Sequence, residues 1–328
     1  MSQLTRIRAR RQTLRLAPLF SLLLLVAFPS ATRAQNANEG SWRMYYEPGR
    51  DRVQLSFDHF DNGGRRHGNT SFGVRPTELR GLPASQLSSY SGPVRFQLVR
   101  DAGTLNFEGE MRDGHGTGFF TFAPDARFPQ QLASRGYERP TDQQQFWLAL
   151  HDVGYAMIDE LRKEGYERPS VDQLVVMGMH GANLEYMKSL SAAGYRVGNT
   201  YSLVTLRDHG VDDDFIRGLN DAGYKNLSLD DLRELRDHGV TPDFIAALRR
   251  YGFTNLTTDQ LLTARDHGVT ESFIEDFREL GYTDVSLRQF VTMRDHGVTP
   301  GFARQMRSTY GRSLSVNELI DRRDRGEY

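Results

Sequence analysis

The stretch from Leu227 to Phe253, LSLDDLRELRDHGVTPDFIAALRRYGF, decides the fold because it holds the start and stop signals of two short helices. Ser228 is a natural N-cap, and the leucines that follow it recur at helical spacing. Gly239 stands where a residue in the left-handed conformation ends a helix. These signals predict a first helix, helix A, over roughly 228–238.

A second helix begins two residues later. Thr241 is its N-cap, and Pro242 occupies the first helical position, where a missing N–H costs nothing. Apolar residues at helical spacing follow until Gly252, which is again a stop signal. The pattern predicts helix B over roughly 241–251.

This two-helix pattern recurs every 29 residues along most of the chain. Helices of about eleven residues are too short to be stable alone in water, so neighbouring repeats must stack. The array ends with Arg325-Gly326 in the register of His-Gly. The register is marked by a histidine column and a glycine column: His151, His180, His209, His238, His267 and His296; Gly136, Gly165, Gly194, Gly223, Gly252 and Gly281.

The region 122–328 is therefore predicted to be an α-solenoid of about seven two-helix repeats. The earliest repeats are degenerate, as His151-Asp152-Val153-Gly154 and Met179-His180-Gly181-Ala182 show. Such departures are expected where the array meets the preceding domain and needs a capping surface.

From about 41 to 122 the apolar residues alternate with polar ones, which is the pattern of half-buried strands. Six or seven short strands predict a small antiparallel sheet or compact β-sandwich over 35–121, with a short β-solenoid as the alternative. The fold class is thus α+β with two domains. The alternating sets are Trp42, Met44 and Tyr46; Val53, Leu55 and Phe57; Val94, Phe96 and Leu98; Leu105 and Phe107; Phe120 and Phe122. Gly-rich turns are predicted at Asp61-Asn62-Gly63-Gly64, Asp101-Ala102-Gly103 and Asp113-Gly114-His115-Gly116.

Residues 1–34 have the features of an export signal. Several arginines precede the apolar run Leu16–Phe28, which is short for a membrane span, and Thr32 and Ala34 precede a cleavage position before Gln35. A retained N-terminal anchor is the alternative, and Arg10-Arg11 leaves a twin-arginine route open. We expect an exported protein, periplasmic or secreted, with no membrane span after signal removal.

Removal of the signal changes the net charge. The remaining chain has 35 basic and 42 acidic residues, a net charge of −7, and the whole sequence contains no cysteine. An acidic, exported chain is a poor nucleic-acid partner. The absence of cysteine excludes disulfides, thiolate metal sites and a lipidated cysteine, so the fold must depend on its core.

The histidine column raises the question of a metal site. Each histidine falls at the end of helix A, where an imidazole can donate to the last carbonyls, and one histidine per repeat does not bring several ligands to one point. We therefore expect a structural role and no metal. The arginine that precedes each Asp-His is expected to compensate the aspartate in an inter-repeat charge network, with a ligand-reading charged stripe as the alternative. These pairs are Arg207-Asp208, Arg236-Asp237, Arg265-Asp266 and Arg294-Asp295.

Two segments of the β region loosely resemble protease motifs. Gly114-His115-Gly116-Thr117-Gly118 is similar to the histidine motif of subtilisin-like proteases, and Asp101-Ala102-Gly103-Thr104 is similar to an aspartic-protease loop. Neither has its partners, because no nucleophile elbow and no second Asp-Thr-Gly loop occur. We interpret these glycines as turn glycines and predict no catalytic residue and no cofactor; His-Glu-x-x-His, Walker A and Gly-x-Gly-x-x-Gly motifs are also absent.

The repeat Leu-Arg-Asp-His-Gly-Val-Thr-Pro-Asp-Phe-Ile at 235–245 resembles the tandem helical repeats found C-terminally in some bacterial membrane metallopeptidases of the beta-lactam sensor-transducer family. It also resembles repeats of stand-alone exported proteins of uncharacterised function. The chain lacks the zinc-protease motif and the membrane domain of those peptidases. The resemblance therefore implies only an accessory extracytoplasmic portion and assigns no catalytic residue.

These observations predict a non-enzymatic module that binds a protein or a cell-envelope component. An accessory or sensory subunit of an envelope protease or signalling system is one alternative, and a hydrolase with a site in the β domain is another. Partner-specific residues should lie in outward columns that change from repeat to repeat. The candidate binding residues are Arg217, Arg249, Arg278 and Arg307 on helix B, and Glu234, Thr263 and Thr292 on helix A.

Overall fold

The computed structural model of the protein describes residues 39–60 and 66–327. The predicted export signal over 1–34 and the predicted turn Asp61-Asn62-Gly63-Gly64 lie outside the described residues. The described chain has two parts, an N-terminal antiparallel sheet and a following set of helices, which confirms the α+β class. Within these residues, no helix combines the length and the apolar composition that crossing a bilayer requires.

Six strands form one antiparallel sheet in the order β3-β2-β1-β6-β5-β4. Two three-stranded meanders are joined through the central pair β1 and β6. The single sheet confirms the predicted small antiparallel sheet. The sandwich and β-solenoid alternatives are wrong, because every described strand belongs to the same sheet. The strands are β1 (Glu39–Tyr45), β2 (Val53–Phe60), β3 (Arg66–Val74), β4 (Gly92–Arg100), β5 (Gly103–Arg112) and β6 (His115–Pro124).

The indole of Trp42 is the centre of the apolar face of this sheet. It is fully buried, and its Nε1–H donates to the Glu108 and Phe119 carbonyls at 3.2 and 3.1 Å. Gly116 lies under the ring, where an added Cβ would come within 2.7 Å of the indole. The prediction of turn glycines is therefore right for Gly114, which has a φ of +81°, and wrong for Gly116 and Gly118, which lie inside β6. Gly116 makes room for the tryptophan, and a Cβ on Gly118 would meet the Glu108 carbonyl of β5.

The helices keep the 29-residue register that the sequence predicts. In the repeat at 227–253, helix A spans Leu229–Asp237 after its N-cap Ser228, and helix B spans Pro242–Arg250 after its N-cap Thr241. Gly239 has a φ of +70°, which confirms its role as a left-handed stop. Fourteen helices are described: α1 (Phe128–Ser134), α2 (Asp142–Leu150), α3 (Tyr155–Lys163), α4 (Val171–Met179), α5 (Leu184–Ala192), α6 (Thr200–Asp208), α7 (Asp213–Asp221), α8 (Leu229–Asp237), α9 (Pro242–Arg250), α10 (Thr258–Asp266), α11 (Glu271–Glu279), α12 (Leu287–Asp295), α13 (Pro300–Tyr310) and α14 (Val316–Asp324).

Like helices of neighbouring repeats contact one another. Helix A of one repeat packs against helix A of the next, as in α2–α4, α4–α6, α8–α10, α10–α12 and α12–α14. Helix B does the same in α3–α5, α7–α9, α9–α11 and α11–α13. Helix α2 also packs against β5 and β6, so the first repeat is the one that adjoins the sheet.

Candidate functional site

The contact between one repeat and the next, here called a junction, is built from the same side chains in most of the array. The histidine that ends helix A pairs through Nδ1 with the aspartate at the end of the next helix A. The Nδ1–Oδ1 distances are 2.8 Å for His180–Asp208, 2.6 Å for His209–Asp237, 2.6 Å for His238–Asp266 and 2.8 Å for His296–Asp324, and His267 pairs with Asp295 in the same way. These five pairs are the His–Asp rungs.

The rungs correct two predictions. The histidines do end their helices, as expected, but their imidazoles pair with the next repeat and not with their own last carbonyls. The arginines do not compensate the aspartates. Each guanidinium lies instead over an aromatic ring of the preceding helix B, at 5.0 Å for Arg207 on Tyr186, 5.0 Å for Arg236 on Phe215, 5.3 Å for Arg265 on Phe244, 3.9 Å for Arg294 on Phe273 and 5.3 Å for Arg323 on Phe302.

The physical reason is the geometry of the helix. Arg236 and Asp237 are consecutive, so their side chains point about 100° apart, and only one of them can face the preceding histidine. The arginine turns toward the ring, where a cation–π contact replaces the hydration that it loses. Burial lowers the pKa of Arg294, which lies closest to its ring.

We expect the His238–Asp266 rung to make the array less stable as the pH rises. The hydrogen bond that the His238 imidazole donates to Asp266 raises the pKa of His238 above 6.5, so the folded protein binds this proton more tightly than the unfolded chain. That stabilisation is complete below the unfolded pKa and is lost as the pH rises through the folded one. The urea midpoint of the wild-type protein should therefore be lower at about pH 8.5 than at about pH 5.5. These two values lie about one unit or more above and below the ordinary histidine pKa.

His238→Gln should reduce this pH dependence, because glutamine keeps a hydrogen-bond donor but does not titrate. His115→Gln is the matched control, since the described part of the chain gives His115 no carboxylate partner within hydrogen-bond distance. Equal pH dependence in wild type and His238→Gln would contradict the role given to the rung.

The predicted binding residues fall into two groups. Arg217 is exposed and pairs with Asp213 of its own helix at 2.9 Å, and Arg307, Glu234 and Thr263 are exposed as well. Thr292 is half-buried, and its hydroxyl donates to the Arg288 carbonyl at 3.0 Å.

The other two arginines belong to junctions. Arg249 donates to the carbonyl of Ala222, and Arg278 to that of Tyr251, so each satisfies the end of the preceding helix B. Arg278 is half-buried and lies over the Tyr251 ring. Arg249 is exposed and Arg278 half-buried, and both contact the preceding repeat.

The first junction, between α2–α3 and α4–α5, lacks this contact set. Gly178 and Met179 stand where later repeats have Arg-Asp, so His151 has no aspartate at the rung position. His151 instead stacks on Trp147 at 5.8 Å and lies 5.8 Å from the Phe72 ring of β3. Asp152 stands where all later repeats have glycine, and it keeps the left-handed conformation with a φ of +56°. Such a conformation is unfavourable for a residue with a side chain.

These departures surround a cleft of about 540 Å³ between the sheet and α2–α5, here called the junction cleft. At later junctions an arginine fills the space over the left-handed glycine; Arg236, for example, lies 3.3 Å from a Cβ built on Gly210. Gly178 supplies no such side chain, and the space stays open. The residues that line the cleft include Arg52, Phe72, Arg75, Glu78, Arg100, Asp101, His151, Asp152, Leu184, Glu185 and Lys188.

Asp101 supplies a helix cap across this boundary. Its Oδ2 accepts a hydrogen bond from the Tyr155 N–H at 2.7 Å, at the start of α3. Gly154 occupies the N-cap position and has no side chain, whereas the equivalent residues of later repeats cap their own helices. A Cβ on Gly154 would lie 2.4 Å from the Asp101 carboxylate. The turn that resembles a protease loop is thus a cap for α3.

Loss of this cap should destabilise the protein. Asp101→Ala is expected to lower the free energy of unfolding by about 1 kcal/mol, the usual cost of a lost N-cap. Gly154→Ser should also be destabilising in the wild-type background, because its Cβ meets Asp101, but stabilising in the Asp101→Ala background, where serine caps the helix itself. Urea unfolding of the two single variants and the double variant measures this change of sign; additive losses would contradict the assignment.

Two ion-pair groups lie in the junction cleft. Arg100, only 11% exposed, pairs with Glu78 at 2.6 Å and with Asp152 at 3.3 Å. Burial opposes ionisation of Glu78, but hydrogen bonds from the Arg75 N–H and from Arg100 outweigh it and lower its pKa. The pKa of Asp152 is raised, because loss of water around the carboxyl outweighs the attraction of Arg100.

The second group is on the rim. Arg52 precedes β2, and Arg75 follows β3. The Nη2 atoms of these two arginines lie 2.9 and 3.2 Å from the same carboxylate oxygen of Glu185 on α5. Lys188 follows one turn later on α5. None of these residues was predicted from the sequence, although Asp152, Gly154 and Gly178-Met179 are visible there as departures from the repeat.

The hydrolase alternative depends on His115. Its ring lies 5.1 Å from that of Tyr45, and it shares a shallow, open depression with Glu110 and Asp113. In the part of the chain that the structure describes, neither carboxylate is hydrogen-bonded to His115, so the geometry has no base held by an acid. Across residues 39–60 and 66–327, no three His, Asp or Glu side chains stand close enough to hold a metal ion.

A scan of the chain against protein-family models finds no match, and searches of the curated proteins and of the solved structures find none either. What this chain does is therefore inferred from its own residues and contacts.

Proposed function

We propose that the chain is an exported binding scaffold without catalytic activity, in which an α-solenoid of 29-residue repeats presents its surface to a protein or another component of the cell envelope. The proposal is supported by the junctions, which use the same His–Asp and Arg–aromatic contacts from α4 to α14. Repeats that contact their neighbours through one set of side chains stack into elongated arrays, and such arrays commonly act as binding surfaces.

One observation carries the binding role: one helix B column changes between repeats and is exposed, whereas the helix B column that packs against the neighbouring repeats stays the same and is buried. Phe215, Phe244, Phe273 and Phe302 are buried in one column. By contrast, the exposed column on helix B changes from Arg217 to Ala246 to Glu275 to Arg304. Buried columns meet the same neighbour in every repeat, so differences in the exposed columns are free to encode a partner.

Capture from envelope extract with the mature protein as bait tests the proposal. Arg217 and Arg307 are the residues to change, because Arg249 and Arg278 also hold junctions together. The double variant Arg217→Gln with Arg307→Gln should retain its unfolding midpoint, lose affinity for the captured partner and make the remaining affinity less dependent on salt.

Arg95→Gln with Arg112→Gln is the matched control, since these two sheet residues are at least as exposed and the pair removes the same charge. If both double variants bind the partner equally weakly, the array arginines have no special role, and the binding surface lies outside the array. Failure to capture any partner whose binding depends on the folded protein would overturn the proposal.

A further inference from the structure

We propose that the junction cleft is a peptide-binding site, and that it takes a segment in which an acidic side chain or a terminal carboxylate stands beside aliphatic residues. This inference rests on the proposed binding function and names its ligand class. It concerns a surface separate from the outward columns of the array.

The first step is the pair of guanidiniums on the rim. Arg52 and Arg75 come from the edge of the sheet, and both meet one carboxylate oxygen of Glu185, a residue 133 positions from Arg52 in sequence. Two guanidiniums directed at a single oxygen form a receptor for a carboxylate. Glu185 thus occupies, from within the chain, the place that a ligand carboxylate would take.

Displacement of Glu185 is easy. Its side chain is 61% exposed, and those of Arg52 and Arg75 are 41% and 54% exposed, so the internal ion pair is surrounded by water and contributes little to stability. Within the described residues, Glu185 makes no other hydrogen bond or ion pair. A carboxylate that brings further contacts with it therefore competes successfully for the two arginines.

Those further contacts are apolar. Phe72 and Leu184 line the cleft and are half-buried, with Val74, Leu150 and Met157 buried among the lining residues. A cleft of about 540 Å³ falls within the range of sites that hold small organic ligands or short peptide segments and is far larger than an inorganic anion needs. The combination fits an aliphatic side chain next to a carboxylate.

The charge of the cleft favours a peptide over a polyanion. Its lining has four cationic side chains and four carboxylates: Arg52, Arg75, Arg100 and Lys188; Glu78, Asp101, Asp152 and Glu185. A membrane of anionic lipids would bring many negative charges against these carboxylates. A peptide brings one or two carboxylates to the arginines and uncharged groups to the rest.

The repeat sequence accounts for the open cleft at the first junction. Each later junction places an arginine over the left-handed glycine and closes the space, as Arg207 does at Gly181. At the first junction Gly178 replaces that arginine, and Asp152 replaces the glycine at the expense of a left-handed backbone.

The test is a phage-displayed library of random heptapeptides panned against the purified full-length protein. Enriched sequences should combine Asp or Glu with Leu, Ile or Val, and fluorescein-labelled synthetic copies should bind in an anisotropy assay. Replacing their Asp and Glu by Asn and Gln should weaken binding by about tenfold, and so should Arg52→Gln with Arg75→Gln in the protein.

Glu185→Gln gives the decisive readout, because it should tighten binding by about threefold when the competing carboxylate is removed. An improvement in affinity cannot result from misfolding. Glu279→Gln, at an exposed glutamate of α11, is the matched control and should leave the affinity unchanged. Enriched peptides without acidic residues, or unchanged affinity in Glu185→Gln, would overturn the inference.

Two further arms separate other sources of anions. Inorganic phosphate and phosphatidylglycerol vesicles should compete poorly with the labelled peptide; strong competition that Arg52→Gln with Arg75→Gln abolishes would reassign the site to that anion. Peptides that respond to Arg217→Gln with Arg307→Gln but not to the cleft variants would overturn this inference and leave the proposed function standing. If panning enriches no peptide and the capture experiment finds no partner, both this inference and the proposed function are overturned.

Discussion

Replacing Trp42 by alanine is expected to lower the free energy of unfolding by about 3–5 kcal/mol, as for other large aromatic residues in protein cores. The side chain is fully buried and meets Phe96 edge to face, with ring centroids 5.2 Å apart. It meets Phe107 in the same way at 6.1 Å. Alanine would leave a cavity that the sheet cannot fill, because Gly116 under the indole has no side chain to move into it.

Trp42→Phe separates packing from hydrogen bonding. Phenylalanine keeps most of the ring contacts but leaves the Glu108 and Phe119 carbonyls without the indole N–H, so we expect an intermediate loss of about 1–3 kcal/mol. Trp147→Ala is the control for loss of a tryptophan, since Trp147 is only half-buried. Urea unfolding followed by far-ultraviolet circular dichroism measures all three variants. A loss at Trp42 no larger than that at Trp147 would contradict the central role of Trp42.

The helical array was predictable because its signals are local. Ser228 and Thr241 cap helices that begin at the next residue, and Gly239 ends the first of them, so both bounds follow from the chain itself. The strands with strict alternation, such as Val94–Leu98, were predictable for the same reason. Strand β3 was not, because RHGNTSFGV has only Phe72 and Val74 in alternation, at its end, and the strand is held by its pairing with β2.

The contacts between repeats were harder to predict, because they depend on the direction of side chains. The sequence shows that Arg236 and Asp237 recur every 29 residues, but not that the aspartate faces a histidine 28 positions away. The junction cleft could not be predicted from the sequence. Arg52 and Glu185 belong to different parts of the fold, and Asp101 caps a helix 54 residues later. The local traces were the departures from the repeat at Asp152, Gly154 and Gly178-Met179.

The last prediction concerns the dependence of each repeat on its neighbours. A peptide spanning 227–253 contains α8 and α9, which are nine residues each, and isolated helices below about 12–15 residues are marginal in water. The peptide also loses both His–Asp rungs of its repeat, since Asp237 pairs with His209 and His238 pairs with Asp266. Its buried Leu232, Phe244 and Ile245 would face water without the helices on either side.

We therefore expect the 227–253 peptide to give the circular dichroism spectrum of an unfolded chain, with little of the signal at about 222 nm that stable helices would give. A longer fragment over 199–311, which contains α6 to α13, should fold and unfold cooperatively, because at least three stacked repeats are needed to bury a continuous core. The comparison controls for composition, as both fragments consist of the same repeat. A helical, monomeric 227–253 peptide would mean that the caps and helix propensities of one repeat are sufficient for folding. The recurring His–Asp pairs, such as His238 and Asp266, would then serve something other than stacking.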